Sequence, residues 1–178
     1  MEEITPVRAG EYAPDFTLSD VVLGEPFILS QLRGYPVIVN FWSTECPWSR
    51  KYDDYFLEKQ TQWAEQEIAL LFIDSNDNEE VYEMQDLIDE LGIITPVLAD
   101  PHNEVADAFG AQTTPHVFLI DANGVIVYQG AVDDRSFRQP EATVNYLDAA
   151  VEALQKGQQP DPSDTLAYGC TIVRYFEE

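Results

Sequence analysis

Cys46 stands where a cysteine is well placed to act as a nucleophile, at the passage from a buried strand into a helix. The β-branched run Val37-Ile38-Val39 continues through Phe41-Trp42 and breaks at Ser43-Thr44-Glu45; Cys46-Pro47 then opens an amphipathic pattern that runs to about Gln66. Proline suits the first helical position, where its missing N–H would go unpaired anyway. Free N–H groups and the positive end of the helix dipole stabilise a thiolate there, lowering a cysteine pKa from roughly 8.5 into the range of about 3.5 to 7.5. Cys170 is the only other thiol. The two could form one bridge or serve catalytic or redox chemistry, and residue types alone leave both open. Zinc is excluded by ligand counting, because only His102 and His116 could join the cysteines and no ligand spacing matches.

Other groups bear on this thiol. Glu45 beside it would raise its pKa, whereas Arg50 and Lys51, one turn on, would lower it; ordinary helix-surface cations are the plainer account of those two. His116, after Pro115, is either a base facing Cys46 or a structural residue opening a strand. Asp74-Ser75-Asn76-Asp77-Asn78 begins like a calcium loop. Glu79 stands at its sixth position in place of glycine and Gln85 at its twelfth in place of glutamate, which leaves a strand-to-helix loop.

The elements that must position these groups follow from periodicity. Asp15–Leu18 and Pro26–Ile28 read as a hairpin around Gly24, and Ser30–Gly34 as one capped helical turn. After the strand Val37–Trp42, the helix from Pro47 carries Trp48, Tyr52, Tyr55, Phe56 and Trp63 as an apolar stripe. Ile68–Ile73 is a continuous apolar run, suited to a strand buried on both faces. The spacing of Val81, Met84, Ile88 and Leu91 predicts a helix over Glu79–Leu91 with Gly92 as its stop. A short strand at Pro96–Ala99 and a short helix at Glu104–Phe109 follow. His116–Ile120 and Val125–Tyr128, joined by Asp121-Ala122-Asn123-Gly124, form an antiparallel hairpin. A last helix is expected over Glu141–Lys156, with Val144, Leu147, Val151 and Leu154 on one face, before a proline-punctuated connector and the strand-like Thr171-Ile172-Val173.

Composition narrows the partners. Nine Lys and Arg against 33 Asp and Glu give a net charge of −24, a surface that repels phosphate backbones and anionic membranes, so neither nucleic acid nor membrane is expected as a partner. At 178 residues the chain buries roughly 70% of its unfolded surface and needs no disulfide scaffold. No apolar stretch reaches the roughly 20 residues of a membrane span, and MEEITPVRAGEYAPDF has no apolar core of signal-peptide length; a cytoplasmic location is expected.

This order of elements resembles the thioredoxin fold. The likeness is carried by NFWSTECPWS around Cys46, TTPHVFLID around Pro115, and the preface GEYAPDFTLSD with LSQLRGYPVIVNFW. The preface is similar to that of the redoxin (AhpC/TSA) branch, which holds peroxiredoxins and cytochrome-maturation thioredoxins. Within it, the chain resembles thioredoxin-like redoxins marked by Ser75-Asn76-Asp77, Thr114-Pro115, Tyr128-Gln129-Gly130, Asp133-Asp134 and a C-terminal Gly169-Cys170-Thr171-Ile172. The resemblance implies an α/β thioredoxin fold in a single domain: a central mixed sheet flanked by helices over 36–157, a β-hairpin extension over 1–35 and a tail over 158–178. It also implies a cis Thr114-Pro115 bond that faces Cys46 and pairs with a partner's extended chain, in a groove completed by Trp42, Pro47 and Trp48.

Three departures matter. Thioredoxins use Cys-x-x-Cys, but here the second position is Ser49, which can donate a hydrogen bond to the Cys46 thiolate but cannot attack a mixed disulfide. Cys170, folded back by its connector, is then the candidate resolving thiol, against the plainer account of a small buried residue in a terminal strand. The buried aspartate of thioredoxins is matched by Asn40, which accepts no proton. Peroxiredoxins place a proline seven residues and a Thr or Ser three residues before their cysteine, where this chain has Val39 and Ser43. The expected activity is thiol–disulfide exchange with Cys46 as nucleophile, on protein thiols or disulfides, with an external dithiol reductant and no cofactor or metal. The alternatives are a thiol peroxidase acting on a hydroperoxide and a non-catalytic binding module.

Overall fold

The computed structural model describes residues 7–178; the first six residues, which open the expected extension and the stretch read for a signal peptide, lie outside the described residues. Strand β3 (Val37–Trp42) is buried along its whole length, because it lies between β4 (Ala69–Asp74), parallel to it, and β7 (His116–Ile120), antiparallel to it. Strand β5 (Val97–Ala99) extends the parallel side, and β8 (Ile126–Gly130) pairs antiparallel with β7. The hairpin of β1 (Thr17–Asp20) and β2 (Pro26–Ile28) adds to β5, completing a seven-stranded sheet in the order β2-β1-β5-β4-β3-β7-β8. The expected hairpin is thus part of the main sheet, covering what would otherwise be the open edge of β5.

Alternation along β3 divides the core. Ile38 and Trp42 face Phe56, Trp63, Met84, Ile88, Leu147 and Val151, which come from α2 (Asp53–Glu65), α3 (Val81–Leu91) and α5 (Tyr146–Gln155). Val37, Val39 and Phe41 face the other side, with Phe109 of α4 (Glu104–Phe109), Phe16, Phe118 and Ile172. Phe109 meets Phe16, Phe41 and Phe118 edge to face at 5.0–6.1 Å, the arrangement favoured by ring quadrupoles. Among the described residues no helix is long and apolar enough to cross a membrane.

Several expectations are corrected. The helix from Pro47 is two helices, α1 (Pro47–Arg50) and α2, because Tyr52 turns inward and its hydroxyl donates to buried Asp133 at 2.7 Å. Trp48 lies half-buried at the surface and does not join the core stripe. The last helix begins at Tyr146, capped by Asn145, whose side chain accepts from the Asp148 N–H at 2.8 Å. Upstream, the Asp134 carboxylate accepts from the Thr143 and Val144 N–H groups and the Thr143 hydroxyl, holding that segment in a turn and leaving Val144 exposed. Val81, expected on the apolar face of α3, is also exposed, and the turn at Leu29–Leu32 has no side-chain cap.

The connector is anchored to β8 at Ser163–Thr165. Gln129 of β8 donates its N–H to the Ser163 carbonyl and accepts from the Thr165 N–H, both at 3.0 Å. At Gly130, with φ +137°, an added Cβ would lie 2.2 Å from the Thr165 hydroxyl, so only glycine lets the connector pass so close. This path returns the tail from the end of α5 to the Cys46 end of the sheet.

Candidate active site

Cys46 caps α1, and its Sγ accepts from the Ser49 N–H at 3.4 Å. Cys46 and Cys170 form a disulfide with an S–S distance of 2.20 Å and Cα atoms 6.1 Å apart. The second half of the site is the cis Thr114-Pro115 peptide. Cys46 Sγ lies 3.3 Å from the Thr114 carbonyl oxygen. With no proton on a disulfide sulfur this is a contact; in the reduced state the S–H can donate to it.

The tail reaches the site as a strand. β9 (Cys170–Thr171) pairs antiparallel with β6 (Thr113–Thr114), with Cys170 opposite Thr114 and Thr171 opposite Thr113. Beyond β9, the Ile172 N–H donates to the Gln112 carbonyl at 3.0 Å. The Val173 N–H donates to Asn76 Oδ1 at 3.0 Å, and its carbonyl accepts from the Asp77 N–H at 3.0 Å and from Asn103 Nδ2 at 3.2 Å. Asn103 Oδ1 also accepts from the Tyr175 N–H at 2.5 Å. Ile172 is 2% exposed, and Tyr168 packs edge-on against Trp48 at 4.8 Å.

Ser43, Thr44 and Glu79 hold the turn before Cys46. The Ser43 hydroxyl accepts from the Cys46 N–H at 3.1 Å and donates to Glu79 Oε2 at 2.6 Å, while Glu79 Oε1 accepts from the Thr44 N–H and hydroxyl. Arg50 closes the turn from outside, donating to the Thr44 carbonyl and to Asp53, each at 2.7 Å. Beneath Glu79 lies Asp74, whose carboxyl pKa is pushed up to about 8, first by burial and then by the charge of Glu79.

The structure brings together Cys46, Cys170, Thr114, Pro115, Trp48 and the Ser49 backbone, and revises three expected roles. The Ser49 N–H, not its hydroxyl, reaches the sulfur; the Ser49 Oγ lies 3.3 Å from the Ser43 N–H and 3.5 Å from Arg50. Trp42 is 2% exposed, stacked on Phe72 at 5.8 Å, and so lies beneath the groove; Pro47 is exposed at its rim. With α1 only four residues long, the local N–H carries the electrostatic support expected of a long helix dipole. Asn40 is buried with an unpartnered Oδ1. His116 is structural: Nδ1 accepts from the Gln112 N–H, Nε2 meets Gln129 Oε1 at 2.8 Å, and burial lowers its pKa to about 4. Sequence reasoning missed Asn76, Asn103 and Glu79 as site residues; the signals were their place in polar strand-to-helix loops and, for Asn76, its membership of the Ser75-Asn76-Asp77 mark of the resemblance. An apolar cavity of about 380 Å³, lined by Phe27, Leu32, Ile94 and Pro96, opens at the other end of the sheet, where β4 and β5 begin, and takes no part in this chemistry.

A cysteine at the strand-to-helix turn, faced by a cis-proline on a mixed sheet, defines a redox-active thioredoxin fold. The chain matches the AhpC/TSA family over residues 9–129 and belongs to it. It is 32% identical over 120 residues to the thiol-disulfide oxidoreductase ResA of Halalkalibacterium halodurans, covering 67% of this chain and 66% of that protein, so it spans about two thirds of that relative's length. Among solved structures, a hypothetical protein from Sinorhizobium meliloti superposes with a TM-score of 0.88 at 28% identity, covering 97% of this chain and 98% of that one. A putative thiol:disulfide interchange protein DsbE from Chlorobium tepidum shares the fold, with a TM-score of 0.63 at 22% identity over 70% of this chain and 85% of that one. Cys170 lies beyond the family match.

Proposed function

We propose that this chain is a two-cysteine thiol–disulfide oxidoreductase in which Cys46 attacks and Cys170 resolves. The observation that carries the reading is the Cys46–Cys170 bridge formed by two residues 124 positions apart, on a tail strand seated against Thr114. In the reduced protein, Cys46 loses its proton and the thiolate attacks a partner disulfide, forming Cys46–S–S–partner and releasing the partner's other sulfur as a thiolate. Cys170, deprotonated in turn, attacks Cys46 Sγ; the internal bridge forms and the partner leaves as a thiol. The partner disulfide gains two electrons and the cysteine pair loses two, which an external dithiol restores. The Ser49 N–H stabilises the Cys46 thiolate both as attacking and as leaving group. Ser43 and Glu79 act as positioning residues through the Cys46 N–H.

Neither alternative gains a supporting contact. Val39 is buried in β3 where a peroxidase would carry proline, and the Ser43 hydroxyl is engaged with Glu79 and the Cys46 N–H. A binding module has no use for a second thiol within bonding distance of the first.

The test is insulin reduction with a dithiol reductant, combined with non-reducing peptide mapping. Wild type should turn over and show the Cys46–Cys170 peptide, Cys170→Ser should accumulate a mixed disulfide on Cys46, and Cys46→Ser should be inert. Full turnover by Cys170→Ser would refute the resolving role.

A further inference from the structure

We propose that the β6 edge, together with Asn76, Asp77 and Asn103, is a recognition groove for an extended partner segment of the pattern Gly-Cys-x-aliphatic-x-Arg, which the tail fills as a tethered stand-in in the disulfide form. The proposal rests on the exchange reading above and names the partner segment that reading requires.

The first step is geometric. A sulfur attacked by Cys46 bonds to Cys46 Sγ, so in any mixed disulfide the partner's sulfur occupies the place that Cys170 Sγ holds now. Partner and tail therefore exclude each other, and the tail's contacts show what a partner's chain meets.

Those contacts fall into two kinds. Backbone groups of the tail pair with β6, Gln112, Asn76, Asp77 and Asn103, as in addition of a strand to a sheet edge, and any extended chain can make them. Side-chain demands alternate. At position 169 an added Cβ would lie 2.0 Å from the Thr114 carbonyl oxygen, so the residue before the cysteine must be glycine. Ile172 is buried against the face of the sheet that holds Phe109, whereas Thr171 and Val173 point outward and are exposed. Arg174 reaches inward, its Nε 3.3 Å from Asp107 and its Nη2 2.6 Å from the Ala111 carbonyl. A basic residue there also suits a surface with a net charge of −24.

The tail can yield the groove without dismantling the connector, because Ser163 and Thr165 stay paired to Gln129 of β8. Release then follows strand displacement: the partner leaves β6 as residues beyond Thr165 return, and Cys170 attacks Cys46 Sγ, forming the internal disulfide and freeing the partner's thiol.

The test uses full-length Cys170→Ser protein and peptides whose cysteine is linked to thionitrobenzoate. Attack by Cys46 on the peptide sulfur releases the coloured thiolate and leaves a Cys46–peptide disulfide. The tethered tail competes alike with every peptide, so ratios of rates are informative. A peptide matching residues 168–175 should react roughly tenfold or more faster than versions with alanine for its glycine or aspartate for its isoleucine, since burying one aliphatic side chain is enough for a factor of that size. Asn76→Ala, which removes a backbone contact open to any extended chain, should slow matched and altered peptides alike and leave that ratio unchanged, and a thiol-free matched peptide with serine for cysteine should compete. Equal rates for matched and altered peptides would overturn the groove while leaving exchange intact. Failure of every peptide to react faster than with protein carrying both Cys46→Ser and Cys170→Ser, which has no thiol, would overturn the exchange reading and the groove with it.

Discussion

Asp74→Asn should stabilise the protein, increasingly so as pH rises. Asp74 ends β4 with Oδ1 accepting from the Asn76 N–H at 3.0 Å and from Asn76 Nδ2 at 3.1 Å, while its buried Oδ2 has no partner. Burial and then the charge of Glu79 raise its pKa from 3.8 to about 8. Between those values the folded state keeps a proton that the unfolded state has lost, so stability falls as pH rises through the window. At 1.36 kcal/mol per pH unit, the loss accumulated by pH 8 is on the order of 5 kcal/mol. His116 acts oppositely: its pKa, lowered from 6.5 to about 4, makes stability rise with pH between those values. Below pH 6.5 the two slopes oppose one another, and above it the slope from Asp74 acts without that opposition. Asparagine keeps the Oδ1 acceptor and replaces the unpartnered oxygen with an amide donor facing Glu79. Urea unfolding of the oxidised protein, at fixed pH from 4 to 8.5, should show matched stabilities near pH 4 and an advantage for Asp74→Asn that widens by about 1.4 kcal/mol per pH unit up to about pH 8. Parallel curves, or a variant less stable at pH 8, would refute the argument.

Two further substitutions probe the site's supports. Gly169→Ala drives a methyl into the Thr114 carbonyl and should slow Cys46–Cys170 closure after a pulse of oxidant roughly tenfold, read by thiol alkylation; the cost of such overpacking is about 1–3 kcal/mol. Closure at the wild-type rate would show that the tail does not dock along β6. Tyr52→Phe removes one of the donors to Asp133, which keeps Arg135 Nε at 2.9 Å, and should cost about 1.5–3 kcal/mol, a fall in Tm of roughly 3–10 °C by calorimetry. An unchanged Tm would mean that this bond does not set the break between α1 and α2.

The strands of the main sheet were legible because their patterns are clear: Val37–Trp42, apolar but for Asn40, and Ile68–Ile73 are short apolar runs that suit central strands, and His116–Ile120 and Val125–Tyr128 flank a turn with a clear Asp-Asn-Gly signal. Helix limits were less legible where tertiary bonds override periodicity. Neither Tyr52–Asp133 nor Asp134–Thr143 is visible without the fold. At the site, Cys46 was readable from its strand-to-helix position. The tail was legible in part: Cys170 read as a candidate resolving thiol folded back by its connector and Thr171–Val173 as strand-like, but its docking was hidden, since β9 has only two residues and is held also by side-chain amides far away in sequence. The loop Asp74–Asn78 shows the limit well. Its residues were read as a rejected calcium loop, and its work is to place Asn76 between Asp74 and the Val173 N–H.

That bridge explains why Ser49 can stand where thioredoxins carry a second cysteine. A resolving thiol one helical turn from the nucleophile acts with the partner still seated. A resolving thiol on the tail acts only after its strand regains β6, so partner release depends on competition for the same edge. The tether helps the tail, since a flexible link supplies an effective concentration in the millimolar range. A partner that matches the groove poorly is displaced quickly, and one that meets the glycine, aliphatic and arginine positions holds the edge longer. Asn76 joins this competition to proton binding: one end of its amide holds the tail backbone, and the other holds the carboxyl whose pKa lies near 8. Deprotonating Asp74 leaves a second charge beside Glu79, under the turn that presents Cys46, so a rise in pH loosens the support of that turn.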